Sequence, residues 1–150
     1  MQPILSSTQS KAAEPRVLLA HFGGVGDRRA ESGAVRGLME VQNIQGFQLK
    51  QPGKDTIPLE YRVRRQDHTW GEWVPLGRFA GTRGQSQHLT GFTIRLAGSA
   101  KDAFEAEVVG LFRDALQPVI VGDGQDCVSR SGDGLLYGMQ VSVTRKTTGR

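Results

Sequence analysis

Cys127 is the only cysteine among the 150 residues, and a lone thiol with a histidine elsewhere is the minimum equipment of a cysteine nucleophile. The partner would be His21, in His21-Phe22-Gly23-Gly24, set against Gly124-Gln125-Asp126-Cys127. Such chemistry needs the imidazole within hydrogen-bond reach of the sulfur and an oxyanion hole beside it. No nucleophile elbow or comparable spacing supplies these, so Cys127 is expected to be a small core or loop residue. Metal chemistry finds less support. His21, His68 and His88 lack paired spacing, and no second cysteine exists. Asp123, Asp126 and Asp133 offer hard oxygens on a glycine-bent loop, but no bidentate glutamate completes a calcium set. They are expected to be solvated turn carboxylates. Gly23-Gly24-Val25-Gly26-Asp27 resembles part of a phosphate loop without the helix that completes the mechanism. No metal, no cofactor and no catalytic residue is expected, and the chain reads as a non-enzyme.

Recognition of sugars asks for other groups: an exposed ring to stack on the apolar face of a pyranose, with planar polar side chains around it. Trp70 and Trp73 flank Gly71-Glu72. An odd spacing on a regular strand sends the two rings to opposite faces. Trp73 is then expected in the core, leaving Trp70 near the surface. Candidate partners for sugar hydroxyls are Asp27, Arg83, Gln85, Asp123, Gln125 and Asp126, with Asp133 nearby.

The elements that must carry these loops repeat. Arg36-Gly37, Arg83-Gly84 and Arg130 before Gly132 place their arginines 47 residues apart each time (36 to 83, 83 to 130). Each is followed by a similar closing: Ile44-Gln45-Gly46-Phe47, Leu89-Thr90-Gly91-Phe92 and Leu136-Tyr137-Gly138-Met139. Each is preceded by an apolar residue, glycine and a charge: Val25-Gly26-Asp27, Leu76-Gly77-Arg78, Val121-Gly122-Asp123. Fixed-period self-similarity outranks other sequence signals. It predicts three units, about 16–50, 57–97 and 103–144, in a single all-β domain, after a flexible arm over 1–15 and with a turn linker at 51–55. The arginine is expected to brace loop carbonyls at each corner.

Within units the period is two. Leu59, Tyr61 and Val63 alternate with Glu60, Arg62 and Arg64, and Phe92, Ile94 and Leu96 alternate with Thr93 and Arg95. Each unit reads as an opening strand, a short strand, a glycine-rich loop and a closing strand. The short strands are expected at 70–74 and 118–121, and the loops at 81–86 and 122–134. Residues 100–116 also tolerate a helix, although Val108-Val109-Gly110 and the repeat register favour strand. Three such units pack as a β-prism, the favoured architecture, with a β-trefoil as the alternative.

Composition agrees with short hairpins: twenty glycines against six prolines. The net charge of +4 comes from fourteen arginines and five lysines scattered along the chain rather than clustered. A nucleic-acid partner is therefore not expected. No apolar leader and no run of eighteen apolar residues is present, so neither a cleaved signal nor membrane insertion is expected. A cytoplasmic protein, or one released without a cleaved signal and acting outside the cell, is the default expectation.

The middle unit is the most specific. Its run Trp73-Val74-x-x-Gly77-x-x-Ala80-Gly81-Thr82-x-Gly84-Gln85-Ser86-x-x-Leu89-x-x-Phe92-x-Ile94-x-Leu96 resembles the bacterial repeat called "clostridial hydrophobic with conserved tryptophan". The likeness covers about Leu59 to Leu96. The flanking units lack the tryptophan, having Phe22 and Pro118 in its slot. The resemblance implies a cell-surface or polysaccharide-binding module. The leading expectation is a lectin-like, non-enzymatic glycan binder; the alternatives are an assembly protein working through protein contacts, including a homo-oligomer, and a cysteine hydrolase using His21 and Cys127.

Overall fold

A computed structural model of the chain describes residues 17–30, 34–36, 42–51, 57–83, 85 and 87–146. The expected N-terminal arm, the linker beyond residue 51 and the Arg36 side chain lie outside the described residues. The chain is all-β. Unit one gives β1 (Val17–Phe22), β2 (Gly26–Ala30), β3 (Ala34–Arg36) and β4 (Ile44–Lys50). Unit two gives β5 (Leu59–Arg65), β6 (Val74–Pro75), β7 (Phe79–Gly81) and β8 (Leu89–Leu96). After the four-residue helix α1 (Ala100–Ala103) come β9 (Phe104–Phe112), β10 (Val119–Gly122), β11 (Asp126–Val128) and β12 (Leu136–Arg145).

The strands form three separate four-stranded antiparallel sheets, none closed into a barrel, in the orders β2-β1-β4-β7, β6-β5-β8-β11 and β10-β9-β12-β3. In each sheet the two long strands of one unit pair centrally, and that unit's second strand covers one edge. The third strand of a different unit covers the other. Unit two lends β7 to unit one, unit three lends β11 to unit two, and unit one lends β3 to unit three. A unit therefore cannot complete its own sheet.

These lent strands lie in or beside segments expected to be loops. Three residues are too few for an alternating pattern to show, and the strands are held by pairing with distant partners: Gly46 with Gly81, Gly91 with Val128, Gly138 with Arg36. The short strand expected at 70–74 also shrinks. Only Val74 and Pro75 pair with β5, while Trp70 makes a single bridge to Arg64. The turn before it, with His68 at a positive φ of 74°, brings the chain back onto β5, where the Arg65 N–H donates to the Thr69 carbonyl and the Gly71 N–H to the Val63 carbonyl, each at 2.8 Å, but Glu72 and Trp73 leave the ladder before Val74 rejoins it. Residues 104–112 are strand, and the helical option survives only as α1. Val25-Gly26-Asp27 opens β2, whereas Leu76-Gly77-Arg78 follows β6, so that part of the sequence repeat does not mark equivalent places.

The closing motifs do. In each sheet the register of the central pair slips by one residue, and the extra residue is Gln45, Thr90 or Tyr137. Each is a β-bulge immediately before the repeated glycine, a device that bends a strand and re-aims a side chain. The glycine is required by the strand beyond it. A Cβ at Gly46 would lie 2.5 Å from the Phe79 ring and 2.7 Å from the Ala80 carbonyl, and one at Gly91 would lie 2.9 Å from the Cys127 carbonyl.

One core joins the three sheets. Leu59, Tyr61 and Val63 are buried as the alternation predicts, and so are Phe92, Ile94 and Leu96. Phe47 sits at the centre, 5.0 Å from the Tyr61 ring and edge-on to Phe92 at 5.7 Å. Beyond the start of β7 the Tyr61 hydroxyl enters the ladder itself. It accepts from the Leu49 N–H at 3.0 Å and donates to the Arg78 carbonyl at 2.5 Å.

Candidate functional site

The register that aligns the three bulges also aligns the residues opposite them. Phe22 pairs with Ile44, Arg65 with Leu89, and Phe112 with Leu136. Phe22 and Phe112 are buried core rings, but Arg65 is exposed and donates to the Thr69 hydroxyl at 3.1 Å. Unit two thus has no ring where its neighbours have one. A pocket of about 310 Å³ lies there, at the seam between units one and two. Its apolar wall is Val63, Val74, Phe79 and Leu89.

The polar wall is Gln45, Thr82 and His88, with Arg65 and Glu72 also lining the space. Gln45 Oε1, Thr82 Oγ1 and His88 Nδ1 are buried and have no hydrogen-bond partner among the described residues. Six such side-chain atoms occur among those residues, and half of them gather at this one pocket. Buried polar atoms are almost always paired, because an unmade hydrogen bond costs about 1–3 kcal/mol. The Gln45 residue is only 4% exposed, and the bulge places it. The corresponding bulge residues are occupied: Thr90 Oγ1 donates to the Arg65 carbonyl at 2.7 Å, and Arg113 lies 4.3 Å over the Tyr137 ring. Gly23 matters here because a Cβ on it would stand 2.7 Å from Gln45 Nε2 and 3.5 Å from His88 Cε1.

The residues expected from sequence fall into three groups, of which the first lies at the junction of units one and two. Asp27 and Arg83 meet across units one and two, Arg83 Nη2 lying 3.2 Å from Asp27 Oδ2 and His21 Nδ1 2.7 Å from Asp27 Oδ1. Partial burial raises the Asp27 pKa, but the hydrogen bonds from His21 and Arg83 outweigh it and hold the carboxyl below the usual aspartate value. Arg83 also covers the Phe79 ring at 3.9 Å. It therefore ties a neighbouring unit's carboxylate instead of bracing loop carbonyls, while Arg130 is exposed. Gln85 is exposed two residues further along the same loop.

The second group covers the outer face of β5 and β8. Arg62 lies 4.3 Å over Trp70 and 4.8 Å over Trp73, and Arg95 lies 3.7 Å over Trp73. Arg95 pairs with Glu60 at 2.8 Å, and Arg62 reaches Asp126 at 3.4 Å. Trp73 is thus half-buried outside the core, and both rings address one guanidinium instead of opposite faces. Residues 70–73 are not a regular strand, so the parity argument had no purchase. The third group is structural at one end of β11. Asp123 Oδ1 accepts from the Leu96 N–H at 2.6 Å, Gln125 Oε1 from the Gly122 N–H at 2.7 Å, and Asp126 Oδ1 from the Thr93 hydroxyl at 2.6 Å.

Cys127 is fully buried on β11, opposite Phe92, with its thiol 3.6 Å from the Val119 carbonyl. Burial pushes its pKa up to about 12. His21 pairs with Asp27, and a thiol so placed does not fit the nucleophile of a His21/Cys127 hydrolase. Sequence reading missed Gln45, Arg65 and Thr82, and weighed His88 only as a metal ligand. Aligning the second and third units on their closing glycines, Gly91 and Gly138, would have set Arg65 against Phe112; Phe22 stands two residues nearer to Gly46, so the first unit joins that comparison only through the strand register.

No protein-family model, curated protein or solved structure matches the chain. Among the described residues no helix is long and apolar enough to cross a membrane.

Proposed function

We propose that this protein is a non-enzymatic, lectin-like module, a pseudo-threefold β-prism that binds one glycan unit in the seam pocket between its first two units. The prism reading is supported by three open sheets of the same strand order around a shared core. The binding reading rests on one observation: three residues that line a single pocket, Gln45, Thr82 and His88, each hold a buried, unpartnered polar atom, and apolar residues line the same space. That mixture suits a ligand with both hydroxyls and an apolar ring face, and the volume sits at the low end of ligand sites, about 300–1,000 Å³. Asp27 on β2, paired with Arg83, and Gln85 on the loop of Arg83 are further contacts for a longer saccharide at a cell surface, with the Trp70 ring on the outer face of β5 as another. Glycan-array binding followed by calorimetry tests this, with Gln45→Met as the control. A folded protein that binds no saccharide would sink it.

Assembly through protein contacts is the second reading, favoured by Leu116 and by Ile120 on edge strand β10, which are the exposed large apolar residues among those described. Light scattering separates the two: a large oligomer indifferent to sugar supports assembly.

A further inference from the structure

Resting on the reading of the seam pocket as a saccharide site, we infer that its ligand is an uncharged acetamido sugar, recognised through the N-acetyl group. The argument is one of complementary chemistry. An acetamido group presents an N–H donor, a carbonyl acceptor and a methyl within a few ångströms. The residues lining the pocket include an acceptor, donors and an apolar patch. Gln45 Oε1 is an acceptor only and is buried without a partner, so a ligand donor brought to it would make the hydrogen bond it lacks. A sugar hydroxyl would satisfy it, but so would an amide N–H, and only the amide brings a methyl for the wall of Val63, Phe79 and Leu89.

The acetamido carbonyl then needs a donor, which the Thr82 hydroxyl or the His88 ring N–H supplies. Neither spends that capacity within the described residues. Charge points the same way. Arg65 and Glu72 line the pocket together, one cation and one anion, so a uronic or sialic acid would meet Glu72 as well as Arg65 and gain little. A plain hexose offers that wall its ring face but no methyl. A site built to hydrogen-bond a group discriminates strongly against the analogue that lacks it, because its own buried atoms are then stranded.

The test is a titration of the ¹⁵N-labelled protein with N-acetylglucosamine, N-acetylgalactosamine, glucose and glucuronic acid, following the amide shifts. One or both acetamido sugars should bind at least tenfold more tightly than glucose, a decade being about 1.4 kcal/mol. The shifts should centre on Gly71, Gly81, Thr82 and His88. Gln45→Met should remove the preference. Gly23→Ala, which crowds Gln45 Nε2 without altering any pocket-lining residue, should weaken acetamido binding in a protein of unchanged fold. Glucose binding equally well, with shifts at the same residues, overturns the acetamido inference and leaves the saccharide site standing. Preference for glucuronic acid overturns it through the charge argument. Shifts centred on Trp70 and Trp73, or no binding of any of the four sugars or of a chito-oligosaccharide, overturn both readings.

Discussion

Tyr61→Phe isolates a single oxygen that joins two units. The ring stays against Phe47 at 5.0 Å, so packing is conserved and only the hydroxyl is lost. That hydroxyl stands in the ladder between the Leu49 N–H and the Arg78 carbonyl. Leu49 is fully buried, so its N–H is stranded by the change, whereas Arg78 is exposed and its carbonyl can turn to water. A stranded buried donor costs about 1–3 kcal/mol, and the second bond adds about 1 kcal/mol or less. The expected loss is about 2–3 kcal/mol, a sizeable part of the roughly 5–15 kcal/mol that holds a domain folded. At about 2–4 °C per kcal/mol for this size, Tm should fall by about 4–12 °C. Burial raises the Tyr61 pKa above its ordinary value, with the hydrogen bonds from the Leu49, Gly77 and Arg78 backbone opposing it. The hydroxyl therefore stays protonated, and the effect should be the same at pH 6 and pH 8. Urea unfolding gives the magnitude, with an unchanged m-value required. Hydrogen exchange gives the place: the Leu49 amide should lose protection beyond the global change. A loss under about 0.5 kcal/mol, or a Leu49 amide as protected as before, would refute the inserted-hydroxyl argument.

Gly46→Ala should destabilise by about 1–3 kcal/mol, the usual cost of overpacking, because its methyl meets Phe79 and the Ala80 carbonyl; Gly122→Ala, whose Cβ has nothing nearer than 3.4 Å, should cost far less. Equal urea midpoints for the two variants would count against the lent-strand account of the repeated glycine. Cys127 should resist iodoacetamide in the native state: a pKa raised from 9.0 to about 12 lowers the thiolate fraction about a thousandfold at pH 8, and denaturant should restore ordinary reactivity. Alkylation of the folded protein at the rate of a free thiol would reverse that assignment. Asp27→Asn should lower stability modestly at pH 7, by less than about 1 kcal/mol because the carboxylate is more than a third exposed. The sign follows from the depressed pKa: the stabilisation is present above the ordinary aspartate value near 3.8 and is lost as pH falls through the lower folded-state value. The gap between wild type and variant should narrow as pH falls below 3.8 and close once Asp27 is protonated in the folded state as well, and a gap indifferent to that titration argues that Asp27 acts by something other than its charge.

How much of this was legible depended on whether a signal was local. Strands β5, β8, β9 and β12 were readable because each is seven residues or longer and alternates apolar with polar residues along part of its length. The closing glycines were readable as a repeat, though not their cause, which lies in strands β7 and β11 arriving from another unit. Those strands were invisible for the same reason: at three residues their identity comes from their partners. Trp73 misled because an apolar residue in a repeated slot was assumed to share the core of a regular strand, and residues 71–73 form no strand. Asp27 and Arg83 were both singled out as polar candidates, yet nothing in their spacing could show that they meet each other. Gln45 was in plain view in every version of the repeat. Its distinction is that Thr90 and Tyr137 find partners and it does not, a difference set by tertiary neighbours alone.

Arg65 in the place of a phenylalanine has an energetic reading that bears on function. Burying a side chain such as Phe22 or Phe112 stabilises a fold by about 1.5–3 kcal/mol, and unit two forgoes that contribution while keeping Val63 and Leu89 as the wall beside it. A chain selected for stability alone would fill the space, since the other two units show that the scaffold accepts a ring at this register. The loss falls at the seam where β7 leaves unit two to complete the sheet of unit one. The pocket accordingly draws Gln45 from β4, Phe79 from β7, Val63 from β5 and Leu89 from β8. Neither unit holds those groups by itself. The lent strand therefore does two things with one connection: it closes a sheet, and it brings Gln45 of one unit against the apolar wall of the next. Loosening β7, as Gly46→Ala should, would then lower saccharide affinity along with stability, while an equally destabilising change in the unit-three sheet, such as Val141→Ala, would leave the affinity of the folded fraction intact.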